Sequence, residues 1–579
     1  MRTISQTRER SVAADSSVDL EISRTTLIAT TQELAAALAN AAPTLEISQE
    51  RAFAVAIADV KGGIVAIDNP QQLGSIAQTV AHVAGYFEFD LTEGDIILTN
   101  DPYTGGTKVQ DLTLLAPFIV NGELVLHLAV RVRIRDIGGQ LGGNLYPAAT
   151  EILAEGVPFT PVKIQRAGRP VRDMLAAFLL NGRRPEETRR ILDTARAALA
   201  LGQRRLAQTV AGQGLALTRA ALKYAQDYSE RLARQAISEW KPGSYEDTRL
   251  LELDTAAGGP VAIRLTATVD QDALILDFGA SDDQRPVFIN SSAGSTTSCA
   301  ISAVLTILGD SVPANSGLLR AVQVRTRPGT VTHPISPAPV GWGDAHCGNE
   351  IIDIVAATLQ SAAGLSLPAL TVPRSLVLAR SANDRSDQLD LGRWSVGGSS
   401  ALTQVDGWGR PNLSSRAELP SIEQWEADND LMIDSFEVIQ DSGGAGQWSG
   451  SPGFETVIAL RPDRLYTLWT VKANSAVNGI AGGTAGGCGE VDFHTADGWQ
   501  PAPQVANEQP VAADRLRLRC AGGGGSGDPR ARERSVVIND LADGLISAAT
   551  ARDVYRLDVD EINEAQRRLG IGKAGIGND

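Results

Sequence analysis

The chain is poor in the residues that build covalent or metal-bound frameworks: its 579 residues hold 4 cysteines, 5 histidines and 3 methionines. Cys299, Cys347, Cys488 and Cys520 lie far apart with no C-x-x-C pair, which excludes a zinc knuckle and a disulfide-dense scaffold and fits a reducing compartment. Long hydrophobic runs are also missing. No stretch approaches the ~20 apolar residues that span a bilayer, and the opening MRTISQTRERSVAADSSVDL has no apolar signal core. Neither export nor anchoring is expected, and the expected location is cytoplasmic. Positive charge is scarce, with 52 Lys and Arg against 68 Asp and Glu, a net charge of −16 and a pI near 4.9. Nucleic-acid backbones and anionic membranes are therefore poor partners, although a local basic pocket remains compatible with that balance.

Hydrophobic residues at 43% and charged residues at 21% are ordinary for a folded chain. The length exceeds the limit of roughly 250 to 300 residues for one core, so two to four subdomains are expected. Residues 1–18 read as a polar, flexible tail and 19–183 as an α+β region, opening with a helix from Leu20 to about Ala42 that carries Leu27, Leu34 and Leu38. FAVAIADV and IVAID flank Lys61-Gly62-Gly63, and LLAPFIV and ELVLHLAV flank Asn121-Gly122, so both are predicted hairpins. Residues 184–240 are Ala-, Leu- and Arg-rich without internal proline and predict two long helices broken near Gly212 and Gly214, with a packing seam at Leu222, Ala225, Ser229, Leu232 and Ala236. A β-rich, glycine-heavy region over 241–510 and a C-terminal Gly-rich loop with helices over 511–579 complete the division. In the last part RERSVVINDLADGLISAATARDVYRL predicts a strand, opening at RERSVVIND, and two helices, Ser547 is the predicted N-cap of the last helix but one, and KAGIGND a frayed tail. The expected fold class is α+β: mixed, largely antiparallel sheets with a long helical insertion and a β-rich, Gly-rich C-terminal half.

Several motifs follow one another in order: NDPYTGGT (100–107), DIGG (136–139), TEILAEGVPFTPVKI (150–164), LDFGAS (276–281), FINSSAGSTTSCAI (288–301), DSGGAGQWSG (441–450) and AGGGGSGDP (521–529). In this arrangement the sequence resembles the hydantoinase B/oxoprolinase family from about Asp19 to Arg556. The resemblance implies a subunit of an ATP-dependent enzyme: a hydrolase of cyclic amides, hydantoins or oxoproline, or a ketone carboxylase. It also implies a hydantoinase A-like partner that holds ATP and Mg²⁺, with neither expected on this chain.

The family places two histidines and an aspartate around a divalent metal, at positions that here carry Lys108, Asp111 and Arg133. Ammonium and guanidinium groups donate hydrogen bonds but have no lone pair for a metal, so no metal ligand set is expected. Two neutral imidazoles plus a dication have the same formal charge as Lys⁺ plus Arg⁺. Two readings follow. Lys108 and Arg133 form an anion-binding pocket for a carboxylate, phosphate or bicarbonate, or they neutralise Asp111 and Asp136 in a structural cluster. Other departures point the same way: Ala52-Phe53-Ala54, Gln72, Ile191, Ala195 and Asp344-Ala345-His346-Cys347 stand where the family has polar site residues.

Asp101, Asp111, Asp136 and His346 are carried as catalytic candidates, while Asn100 and Tyr103 read as turn residues. His346 and Cys347 are adjacent, and neighbours in an extended segment point apart, which opposes a thiolate–imidazole pair. AGGGGSGDP is followed by no Lys-Ser or Lys-Thr, so close backbone packing explains it better than a phosphate cradle. A non-catalytic scaffold paralogue within such a complex is the alternative to an enzymatic subunit.

Overall fold

The computed structural model describes residues 17–565 and 567, apart from 144, 254–257, 373, 385–387, 396, 408, 410–418, 420 and 471–474. Most of the expected flexible tail and the KAGIGND end lie outside the described residues. Helix Ser17–Ala41 already includes Ser17 and Val18, so the first helix begins before the expected boundary.

The N-terminal half is organised on an antiparallel seven-stranded sheet. Its strands are β1 (Phe53–Ala58), β2 (Ile64–Ile67), β3 (Ile96–Thr99), β4 (Asp111–Val120), β5 (Glu123–Arg133), β6 (Val162–Arg166) and β7 (Arg169–Pro170), in the order β2-β1-β5-β4-β3-β6-β7. Strand β1 is apolar throughout because both of its faces are covered. Phe53, Val55 and Ile57 enter the core formed with helix Ser17–Ala41 and the helix Pro185–Gln213. Ala54, Ala56 and Ala58 enter the opposite core, which is built on helices Leu73–Tyr86, Ala293–Leu308 and Cys347–Ala363.

The helical insertion forms Pro185–Gln213 and Leu215–Ser238, separated at Gly214. The buried seam on the second helix runs through Leu222, Ala225, Ser229, Ala233 and Ile237, with the expected Leu232 packed half-buried beside it and Ala236 half-buried next to Ile237. Steps of 4 from Ser229 keep the stripe under the helix as 3.6 residues complete each turn.

A four-stranded sheet over 243–325 contains β8 (Gly243–Leu251), β9 (Val261–Asp270), β10 (Ala273–Asp277) and β11 (Val322–Arg325) in the order β11-β10-β9-β8, with β10 and β11 parallel. The C-terminal half adds sheets of 4 and 5 strands packed over one core containing Trp394, Trp425, Tyr466 and Phe493. Mixed helices and antiparallel sheets thus make the chain α+β, as the sequence implies. The predicted strand in RERSVVIND is instead helix Arg534–Ala542: Val537 and Leu541, one turn apart, are buried together in a small C-terminal core, a helical spacing hidden in a short apolar run. Ser547 does cap helix Ala548–Asp553, its hydroxyl accepting from the Thr550 amide at 3.1 Å.

The AGGGGSGDP run is threaded between the 443–453 and 479–487 loops by main-chain bonds. Gly444 N donates to Gly523 O (2.8 Å), Gly523 N to Ser451 O (2.9 Å) and Gly525 N to Thr484 O (3.0 Å). The amides of Gly522, Gly523, Gly525, Ser526 and Gly527 are occupied by neighbouring carbonyls and that of Gly524 by the Ser400 hydroxyl, as close backbone packing requires.

Candidate functional site

A cavity of about 170 Å³ lies where the open end of the β4–β5 hairpin meets the 342–345 loop and the 388–393 segment of the C-terminal half. Among the described residues it is lined by eight cationic side chains against five carboxylates, in a chain whose total charge is −16. Long-range contacts join the two walls: Arg393 pairs with Glu50, and Gln49 Nε2 donates to Gln424 Oε1 at 2.6 Å.

The floor is built by cross-strand neighbours, whose side chains share one face of the sheet. Asp111 of β4 lies opposite Arg133 of β5, and Thr113 opposite Arg131. Arg133 Nε and Nη2 reach Asp111 Oδ1 and Oδ2 at 2.9 and 3.2 Å, a two-pronged pair, and Thr107 Oγ1 also donates to Asp111 Oδ2. Lys108 Nζ, almost fully buried, donates to both oxygens of Asp344 at 3.0 and 2.9 Å, and Arg133 Nη2 stands 3.9 Å from Asp344 Oδ2. Burial pushes the Asp111 carboxyl upward, but the charges of Arg133 and Lys108 more than reverse this and hold it well below the usual carboxylate range.

Three of the sequence candidates, Lys108, Asp111 and Arg133, therefore meet in one cluster. The other three lie elsewhere. Asp101 caps the short helix Pro102–Thr104, accepting from Tyr103 N at 2.9 Å, and burial raises its carboxyl. Asp136 accepts from Gly138 N (3.0 Å), Arg183 N (2.8 Å) and Arg183 Nη1 (2.9 Å), so its cation is Arg183 and not Lys108 or Arg133. His346 occupies the N-cap of Cys347–Ala363 with its ring 6.1 Å from that of Trp469. The Cys347 thiol is fully buried, which pushes it far above its ordinary range and keeps it protonated. Asn100 ties the loop, its amide donating to Val109 O and Val157 O at 2.7 and 3.1 Å.

Two residues of the floor are absent from the sequence candidates. Asp344 arrives from 236 positions beyond Lys108; the 344–347 segment stands out in the sequence as a departure from the family pattern, but nothing local pairs it with Lys108. Arg131 was detectable: in RVRIRD the arginines recur every second residue, the period of one strand face.

The loop that delivers Asp344 is anchored by Glu155, whose buried carboxylate accepts from Val340 N at 2.9 Å and Gly341 N at 2.8 Å. Burial outweighs those bonds and pushes its pKa up to about 8. A carboxyl raised in the folded state contributes stability that is complete below its unfolded value, roughly 4.3, and is lost as pH rises through about 8. We expect the urea midpoint to fall between pH 6 and pH 9, and Glu155→Gln to reduce that fall; identical pH profiles for the two chains would refute this.

Fold and cavity together define a multi-sheet α+β chain with a cationic pocket between its halves. Residues 16–529 match the family model described as Hydantoinase B/oxoprolinase, and the chain belongs to that family. It is 28% identical over 523 residues to caprolactamase subunit beta of Pseudomonas jessenii, covering 85% of this chain and 87% of that one. The crystal structure of ATP-dependent caprolactamase from Pseudomonas jessenii shares its fold with a TM-score of 0.84 at 23% identity, covering 96% of this chain and 100% of that chain. The nucleotide-free structure of acetone carboxylase gives a TM-score of 0.82 at 16% identity, covering 97% and 84%. Among the described residues no helix is long and apolar enough to cross a membrane.

Proposed function

We propose that this chain is the B-type subunit of an ATP-dependent multi-subunit enzyme that opens a cyclic amide or carboxylates a ketone, with the cavity above Lys108 and Arg133 receiving the small substrate. The observation that carries this reading is the cationic cavity within a chain matched to the family over residues 16–529. The solved relatives are named as an ATP-dependent caprolactamase and an ATP-dependent acetone carboxylase. A hydantoinase A-like partner supplies ATP and Mg²⁺, and the cavity's cations stabilise negative charge developing on a substrate carbonyl oxygen.

The site works without a metal of its own. Lys108 and Arg133 are donor-only groups, both Asp111 oxygens accept from Arg133, and both Asp344 oxygens accept from Lys108. Such a donor set does not fit a divalent ion, and no step is routed through one.

A second reading, a scaffold paralogue that holds its partners without reacting, is favoured by the internal neutralisation of Lys108 by Asp344 and of Arg133 by Asp111. Purifying the complex with its ATP-binding partner and assaying ATP-dependent lactam opening and ketone carboxylation separates the two. For the catalytic subunit we expect Lys108→Ala to lower kcat/KM by about tenfold or more, the scale of one charge-assisted hydrogen bond. Unchanged turnover with a lower unfolding midpoint identifies the scaffold. Stoichiometric Zn²⁺ or Mn²⁺ assigned to this chain by elemental analysis overturns the metal-free site.

A further inference from the structure

Charge on the cavity floor does not balance. Lys108, Arg131 and Arg133 face two carboxylates, Asp111 and Asp344. Both carboxylates are bonded to the other two cations. Arg131 is 2% exposed and bonds only to neutral groups. Its Nε donates to Thr113 Oγ1 (2.9 Å), Nη1 to Gln72 Oε1 (3.1 Å) and Ser75 Oγ, and Nη2 to Thr79 Oγ1 (2.9 Å). Four of the five N–H groups of a guanidinium are thereby used, and no carboxylate among the described residues lies within ion-pair distance of it. Burial lowers its pKa to about 10, so it remains charged at neutral pH.

A buried cation without a counterion is unfavourable by several kcal/mol, and folds ordinarily supply a partner. Elsewhere on the same lining they do: Arg135 pairs with Glu46, Arg374 with Asp390 and Arg393 with Glu50. Ser75 and Thr79 of helix Leu73–Tyr86, Gln72 just before it and Thr113 of β4 instead give Arg131 hydroxyls and an amide, which hold the guanidinium in place without an ion pair; the charge that acts on it comes from Asp111, whose oxygens are bonded to Arg133. One fixed positive charge beside a small cavity is the complement of one small oxyanion.

We infer that Arg131 is the charge of an anion subsite, which takes a single negatively charged oxyanion group of carboxylate or phosphate chemistry from a ligand in the cavity. Lys108 and Arg133, each paired with a carboxylate, border that subsite and remain beside the substrate's carbonyl end, while the net charge of the anion subsite is that of Arg131. The inference deepens the proposed function and relies on it only for the ligand's role in turnover.

The test is a charge swap inside the protein. Gln72→Glu places a carboxylate where Arg131 Nη1 now meets a neutral amide oxygen. Bicarbonate, formate and inorganic phosphate are titrated separately into the full-length chain against chloride at equal ionic strength, followed by calorimetry and by the fluorescence of Trp342, which lines the cavity. Wild type is expected to bind at least one of the three saturably. Q72E is expected to bind about tenfold or more weakly, the scale of one charge-assisted contact, with a higher unfolding midpoint in chloride, and Gln72→Asn is expected to retain binding. Saturation by formate assigns a carboxylate group, by bicarbonate alone a free carbonate species, and by phosphate alone a phosphoryl group. Absence of saturable binding in wild type overturns the inference, as does Q72E with wild-type affinity or with lower stability than wild type. Since no partner, ATP or turnover enters the measurement, its failure is distinguishable from failure of the proposed function.

Discussion

Asp111→Asn is expected to destabilise the chain by roughly 3 kcal/mol in urea unfolding, the lower end of the range for removing one member of a buried ion pair. The lower end applies because the Arg133 side chain keeps 30% of its surface exposed, while that of Asp111 keeps 5%. Without its carboxylate, the remaining acidic oxygen within ion-pair distance of Arg133 among the described residues is that of Asp344 at 3.9 Å, and that group is already bonded to Lys108. The variant also carries a signature in pH. A carboxyl depressed by its partners contributes stability that is present above its unfolded value, about 3.9, and is lost as pH falls further. Wild type therefore shows an acid-side loss that Asp111→Asn lacks. If the two chains unfold at equal urea concentration at pH 7, the pair contributes nothing and the cluster is not structural.

Gly523→Ala is the second large effect, and we expect it to prevent stable folding of the C-terminal half. A Cβ at 523 would stand 1.9 Å from Ser399 O and 2.2 Å from Ser399 C, both main-chain atoms that no rotamer change can move aside. A Cβ added at Gly450 would in turn stand 2.0 Å from Gly523 O, so the neighbouring thread leaves no room for a side chain either. Overpacking of this kind belongs with the rare losses above about 4 kcal/mol. Gly212, where an added methyl would meet no heavy atom within 4 Å, is the control: Gly212→Ala in its helix should be neutral or slightly stabilising. Soluble yield and limited proteolysis around residue 523 read the difference; a Gly523→Ala chain as protease-resistant as Gly212→Ala would show that the glycine threads are not tightly packed.

Much of the architecture was legible from local pattern. The FAVAIADV run, the turn at Asn121-Gly122 and the Ala-, Leu- and Arg-rich stretch over 184–240, whose one proline opens its first helix, each name an element that forms. RERSVVIND escapes such reading because a short apolar run has no period of its own until a neighbouring helix supplies the face it packs on. The site was legible only in part. Lys108, Asp111 and Arg133 converge, yet Asp136 belongs to Arg183, and His346 sits at the start of a helix with its ring beside Trp469.

By itself the sequence determined the family, and the donor-only chemistry of Lys108 and Arg133, because both depend on residue identity alone. Which acid meets which cation was decided only in three dimensions. From the turn, Val120 pairs with Glu123 and Ile119 with Leu124, and continuing that count would set Asp111 opposite Val132. A bulge between Phe118 and Ile119 advances the register by one residue, bringing Arg133 to Asp111 and Arg131 to Thr113. Asp344 is then delivered to Lys108 by a loop held on Glu155, leaving Arg131 with hydroxyls and an amide. Side-chain charge is written in the chain, but its compensation depends on strand register and on contacts more than two hundred residues apart.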